Sequence, residues 1–302
     1  MSESRSTTPA GSCPELAPLR RRMRVDAAIR LGLGVPVMVL GGFIWFVASR
    51  TTPPWSVGPF TADAWLGMLL LMGPWAAATV VAAVAMQRMR DASQHTASRE
   101  LDAAEASLAA SRRLWPLSPR MHLLYLRSLA DLRHVQGRHE QTVLVARELL
   151  ARDTRLHRFP SQHAELLLLW VESALECSYL ADAYEGLTRL SAMTLRLEQR
   201  LGRLLLQTRY EVAVAADRSV LHDWPRKAEL AELLPQPLCG ELHGYLAAAA
   251  ARAGDGDAAR WLWARARLLA PSRLRRIFLA AGLGSPAPGF QPHSDPVDNP
   301  TA

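Results

Sequence analysis

Two long uncharged stretches stand near the start of the chain, and amphipathic periodicity fills most of the remaining sequence. Leu31 to Ser49 runs for 19 residues between Arg30 and Arg50, and Ala64 to Gln87 runs for 24 between Asp63 and Arg88. At ~1.5 Å of rise per helical residue these stretches reach roughly 28 and 36 Å, against a hydrocarbon core of about 30 Å. The pattern therefore predicts a two-helix transmembrane hairpin over 28–90. Gly32, Gly34, Pro36, Gly41 and Gly42 in the first stretch, and Gly67, Gly73, Pro74 and Ala76 to Ala78 in the second, weaken a helix in water. In membrane helices such residues are common and let neighbours approach closely. A cleaved signal peptide ending at Val47-Ala48-Ser49 is the alternative for the first stretch. It is disfavoured because the apolar run exceeds the usual ~7–15 residues and a second run follows at once.

From Asp91 to about Leu283 the periodicity is helical and nothing reads as a strand. Apolar positions recur in Met121–Leu124–Leu126–Leu129–Leu132, in Leu166–Leu169–Trp170–Ser173–Leu175 and in Leu242–Tyr245–Leu246–Ala249–Ala250. Turn signals separate them at Trp115 to Pro119, Gly137, Phe159-Pro160-Ser161, Trp224-Pro225, Pro235 to Pro237, Gly254 to Gly256 and Pro271. The expected fold class is all-α: a transmembrane hairpin followed by a helical domain over 91–285. Residues 1–27 and the proline-rich 286–302 are expected as disordered tails.

Charge adds an orientation. The chain of 302 residues carries a net +7, but residues 1–90 hold nine basic and four acidic side chains, whereas 91–285 hold 26 and 22. Six arginines precede the first stretch and two, Arg88 and Arg90, follow the second, while the loop from Arg50 to Asp63 has one of each sign. Cytoplasmic flanks keep positive charge, so both termini are expected in the cytoplasm of a bacterial inner membrane. Membrane lipid is then an expected partner and nucleic acid is not, because the basicity flanks the apolar segments instead of forming a face. A single Lys227 beside 34 arginines, with three isoleucines and one asparagine, suggests a high-GC genome.

The helices come in pairs. Leu246-Ala247, Gly254, Ala259, Trp263, Ala266 and Pro271 stand where the tetratricopeptide repeat has its leucine and small residue, turn glycine, small residue, bulky aromatic, alanine and closing proline, and this stretch resembles that family. Small residues let paired helices touch, Trp263 fills the gap, and Pro271 stops the second helix. Weaker copies run from Leu129-Ala130 through Gly137, Thr142, Ala146 and Leu149, and through Trp170, Ala174, Ser178, Ala183, Leu187 and Leu190. In the latter a serine replaces the turn glycine. An unpaired second helix, Ala104–Leu108–Ser111–Pro116, is expected to pair with the end of the second membrane stretch. Offsets of 41 and 76 between Gly137, Ser178 and Gly254 make the array irregular, with an extra helix over 197–216 and an insertion over 224–237. In architecture the chain is also similar to the HemY type of bacterial inner-membrane protein, which is linked to haem biosynthesis.

The repeat resemblance implies a docking function. It places Arg127, Asp131 and His134, then Glu165, Glu172 and Glu176, then Glu241 and Arg252 on a concave surface. There the three glutamates of the middle pair are expected to hold a basic segment of a protein partner. The rival class is an accessory subunit of a membrane enzyme or transporter with a site between the spans. Those stretches hold no ionisable group of the kind that intramembrane transport ordinarily needs. The final helix, Ser272 to Leu283, is expected to cap the last repeat, with an anionic lipid surface as its alternative.

No chemistry is legible. Cys13, Cys177 and Cys239 form neither a disulfide framework nor a metal pattern, and Cys177 and Cys239 read as small core residues. His134 and His139 straddle Gly137, His157 and His163 straddle Pro160, and Asp255-Gly256-Asp257 lacks the glutamate of a calcium loop. No Gly-x-Ser-x-Gly occurs and no phosphate-binding Gly-Lys-Ser/Thr follows the early glycines. No cofactor, metal or enzymatic activity is expected.

Overall fold

The computed structural model describes residues 16–29, 62–114, 119–152, 160–273 and 277. Among these every regular element is helical, as the scarcity of β-branched residues predicts. They fall into two compact units, one within Pro9–Thr154 and one from Arg155 onward. The helix that carries the second uncharged stretch continues without a break into the first helical pair.

In the amino-terminal unit α1 spans Leu16–Ile29, α2 Ala62–Ala97, α3 Leu101–Arg113, α4 Pro119–Val135 and α5 His139–Arg152. α2 packs on α3 and α4, α3 on α4, α4 on α5, and α1 on α4. Tyr125, Leu126, Leu129, Leu132, Val143, Ala146 and Leu149 form its interior, while Leu124, expected in the same stripe, is 41% exposed. α1 is a correction to the sequence reading, which placed 16–27 in a disordered tail. Its Arg20 is bound to Glu148 of α5, and its Arg22 donates to the carbonyls of Arg112 and Leu114.

The second unit holds α6 (Pro160–Glu176), α7 (Leu180–Ser191), α8 (Leu197–Ala213), the short α9 (Asp217–Leu221), α10 (Trp224–Ala231), α11 (Gln236–Ala253), α12 (Gly256–Leu269) and a 3-10 turn at Pro271–Arg273. α11 is the central helix: α8, α9, α10 and α12 all pack on it, and every residue from Cys239 to Ala250 is buried. Its alanines and glycines are what that enclosure requires. A Cβ at Gly240 would lie 2.7 Å from the backbone nitrogen of Ala270, and one at Gly244 would lie 2.6 Å from Cδ1 of Ile277. Ala270 and Ile277 therefore both lie against α11, with Ile277 fully buried. Residues 274–276 and 278–283 of the expected final helix lie outside the described residues.

One joint recurs through both units. Arg99, Gly137, Ser178, Ala215 and Gly254 all have positive φ (61°, 72°, 59°, 57° and 84°), spaced 38, 41, 37 and 39 residues apart. At each, the amide one residue later donates to the carbonyl five residues before it: Glu100 to His95, Arg138 to Arg133, Tyr179 to Ala174, Ala216 to Glu211 and Asp255 to Ala250, at 2.8–3.0 Å. This is the 6→1 bond of a Schellman stop, which satisfies a carbonyl that the ending helix leaves over. The next helix begins two residues after each joint residue.

Seven residues before each joint stand Ala92, Ala130, Val171, Thr208 and Ala247, and five after stand Ala104, Thr142, Ala183, Val220 and Ala259. None of the ten is more than 6% exposed, so the two limbs of every hairpin meet at small or short-branched side chains. The offset of 76 is thus two steps, because Ala215 supplies a joint that the sequence hid. α8 is the first limb of a hairpin, not an extra helix, and its return limb is α9 and α10, broken at Asp223 (φ 53°), with α10 at the start of the expected insertion.

The first expected membrane span, 31–49, lies outside the described residues, as do residues 1–15 and the carboxy-terminal tail. Of the second, side chains are described at Gly73 and from Ala76 onward. Among the described residues no helix is long and apolar enough to cross a membrane.

Candidate functional site

The eight residues expected on a binding surface separate by unit. On α4, Arg127 and Asp131 form an ion pair one turn apart at 3.7 Å, and the His134 ring packs edge-on against His139 with centroids 5.3 Å apart. The hairpin turn at Gly137 brings those two histidines together, although they share no helix face.

In the second unit α6, α8 and α11 bring polar groups together. Glu176 accepts from Nη1 of the nearly buried Arg209 on α8 at 2.8 Å. Glu241, 3% exposed, accepts from the Tyr245 hydroxyl at 2.9 Å and from Nη1 of Arg273 at 2.5 Å. Burial raises the Tyr245 phenol, with Glu241 and Glu172 acting in the same sense and Arg209 against them. Glu172, Glu176, Arg209, Glu241 and Tyr245 are therefore one electrostatic group. Arg209 and Arg273 neutralise Glu176 and Glu241. Glu165, exposed near the start of α6, lies 3.5 Å from the Ser161 hydroxyl.

Arg252 is elsewhere. Its Nε and Nη2 donate to Asp217, at 3.0 and 2.6 Å to Oδ1, and Nη2 also reaches the Val212 carbonyl at 3.1 Å. It clamps the end of α11 to the joint between α8 and α9, so its role is in the hairpin array and not on the α6–α8–α11 face.

A second polar group, which sequence reasoning missed, sits where α10, α11 and α12 meet. Glu232 follows α10, Cys239 and His243 lie one turn apart on α11, and Arg265 comes from α12. Arg265 grips both carboxylate oxygens of Glu232, Nε to Oε1 at 3.0 Å and Nη2 to Oε2 at 2.9 Å. Nε2 of His243 lies 3.1 Å from Oε1. The Arg265 hydrogen bonds hold Glu232 below the usual carboxylate range, and burial pushes His243 down against the pull of Glu232. Cys239 rises to about 11, through burial first and the neighbouring carboxylate second. Trp261 stands edge-to-face with His243 at 5.9 Å and meets Trp224 at 6.3 Å. The legible signal was the four-residue spacing of Cys239 and His243, which puts both on one side of a helix. Glu232 and Arg265 are adjacent only through the hairpin.

No protein-family model matches the chain, and neither the curated proteins nor the solved structures include one that it significantly resembles.

Proposed function

We propose that this protein is a membrane-anchored, tetratricopeptide-like scaffold that docks a protein partner at the cytoplasmic face of a bacterial inner membrane. The observation that carries the reading is the joint repeated five times at 37–41-residue spacing, with small buried residues at fixed positions on either side. An array of such hairpins presents its first limbs side by side and so offers an extended surface for another chain. In the second unit those limbs are α6, α8 and α11. Ala270, Arg273 and Ile277 lie on Gly240, Glu241 and Gly244 of α11, so the docking surface of this unit is centred on α6 and α8. Glu165 and Glu172 contribute its negative charge, which suits a basic segment.

The anchor rests on the two uncharged stretches and their arginine flanks. α2 carries the second stretch directly into the first hairpin, and tethering raises the effective concentration of partners held at the same membrane, so a modest docking affinity suffices.

Photocrosslinking from position 172 of the full chain in intact cells tests the reading. A discrete protein adduct in the membrane fraction, lost on Glu165→Lys with Glu172→Lys, supports it. Glu176 is left intact because its bond to Arg209 joins α6 to α8. Adducts indifferent to that double change remove the docking surface, and recovery of the full chain in the soluble fraction without detergent removes the anchor.

A further inference from the structure

We propose that Glu232, Cys239 and His243 bind one zinc-type divalent cation, which ties the end of α10 to the first turns of α11. Each residue offers one donor atom, and the three atoms lie within 4.8 Å of one another. A zinc ion bound at about 2.0–2.3 Å holds neighbouring donors roughly 3.3–3.8 Å apart, so about an ångström of closure completes the site. Cys239 and His243 are set by a rigid, buried helix. The closure falls to Glu232, which lies at the end of α10 and is 42% exposed.

The His243 side chain is fully shielded, Nε2 faces Glu232, and Nδ1 is buried without any hydrogen-bond partner. Arg265 Nη2 reaches Oε2 at 2.9 Å and the Cys239 thiol also hydrogen-bonds the Glu232 carboxylate; a cation would take the place of that thiol proton, and a carboxylate oxygen has a second lone pair. With the Cys239 proton released to solvent, a thiolate and a carboxylate balance the two charges of the ion. Sulfur, nitrogen and oxygen donors together select a borderline metal such as zinc over calcium or magnesium, which take oxygen. Three protein ligands leave one position of a tetrahedron for water.

This inference does not depend on the docking reading. Its test uses the detergent-solubilised full chain, freed of metal with a chelator, with Cys13→Ser and Cys177→Ser so that Cys239 is the single thiol. Competition against a chromophoric zinc chelator is expected to give one zinc per chain, and cobalt is expected to give a thiolate charge-transfer band with tetrahedral absorption. Adding Cys239→Ser should abolish the band and weaken zinc by more than roughly 100-fold, the upper end for losing a group that only supports a ligand. A helical wild-type chain that never competes for zinc overturns the proposal. So does unchanged affinity in Cys239→Ser and His243→Gln, and because the wild-type measurement stands alone, a variant that fails to fold does not shelter it.

Discussion

Ala215 and Gly254 hold the same position in two successive hairpins, both left-handed at φ 57° and 84° and 39 residues apart. An alanine Cβ in that conformation costs about 1–2 kcal/mol, whereas glycine adopts it freely and loses roughly 0.5–1 kcal/mol of that advantage to backbone entropy in the unfolded chain. Ala215→Gly should therefore stabilise the protein by about 0.5–1 kcal/mol and Gly254→Ala should destabilise it by at least as much. Thermal unfolding of the detergent-solubilised chain reads both, and a lowered midpoint for Ala215→Gly would contradict the shared joint.

The same pair shows how far the sequence could be read. Helical periodicity and the turn residues at Gly137 and Gly254 located α4, α5, α11 and α12, because apolar spacing and glycine are local signals. Ser178 kept its place by spacing alone. Ala215 gave no signal, since what holds an alanine left-handed is the 6→1 bond and the packing of the limbs around it, and neither is written in composition. The partners of the charged residues were hidden for a different reason. Glu176, Glu241 and Arg252 were assigned from helix position, but Arg209, Arg273 and Asp217 reach them from other helices, and such pairing is settled only by the fold. The Glu232 group escaped notice for the same reason, apart from the spacing of Cys239 and His243.

Two helical glycines should respond oppositely to a methyl group. At Gly240 an added Cβ meets the Ala270 nitrogen and Cβ at 2.7 Å, so Ala270 must move, and Gly240→Ala should cost about 1–3 kcal/mol. At Gly202 in α8 the nearest atoms are the Leu168 methyls at 3.6 and 3.7 Å, an ordinary contact. There Gly202→Ala should gain up to about 1 kcal/mol of helix propensity. Equal effects of the two changes on the unfolding midpoint would contradict the close packing of α11.

Arg209 and Glu176 join α8 to α6, with side-chain exposures of 6% and 19%. Removing one charge from so sheltered a pair costs the other its ion-pair partner, and Arg209→Met should cost about 3 kcal/mol. Arg209→Met with Glu176→Gln should recover part of that loss, since neither charge is then left without a partner. A double-mutant cycle with no coupling would show that the two side chains do not meet in solution.

Acid should loosen the contact between α1 and α5. Burial drives the Glu148 carboxyl upward, but the hydrogen bonds from Arg20 and Arg152 outweigh it, so the group titrates below its ordinary value, and Arg20 is correspondingly raised. A carboxylate held down in the folded state adds stability that is present above its unfolded pKa, about 4.5, and is lost as pH falls through the lower folded value. Arg20 stays charged throughout that range and contributes nothing to the slope. The unfolding midpoint should therefore fall more steeply below about pH 4.5 in the wild-type chain than in Glu148→Gln, while the two run nearly parallel from pH 6 to 8. Arg20→Gln should raise the pH at which the fall begins, because Glu148 then keeps only Arg152 to oppose its burial. A Glu148→Gln profile that matches the wild type through the acid range would mean that α1 is not held to α5 by this carboxylate.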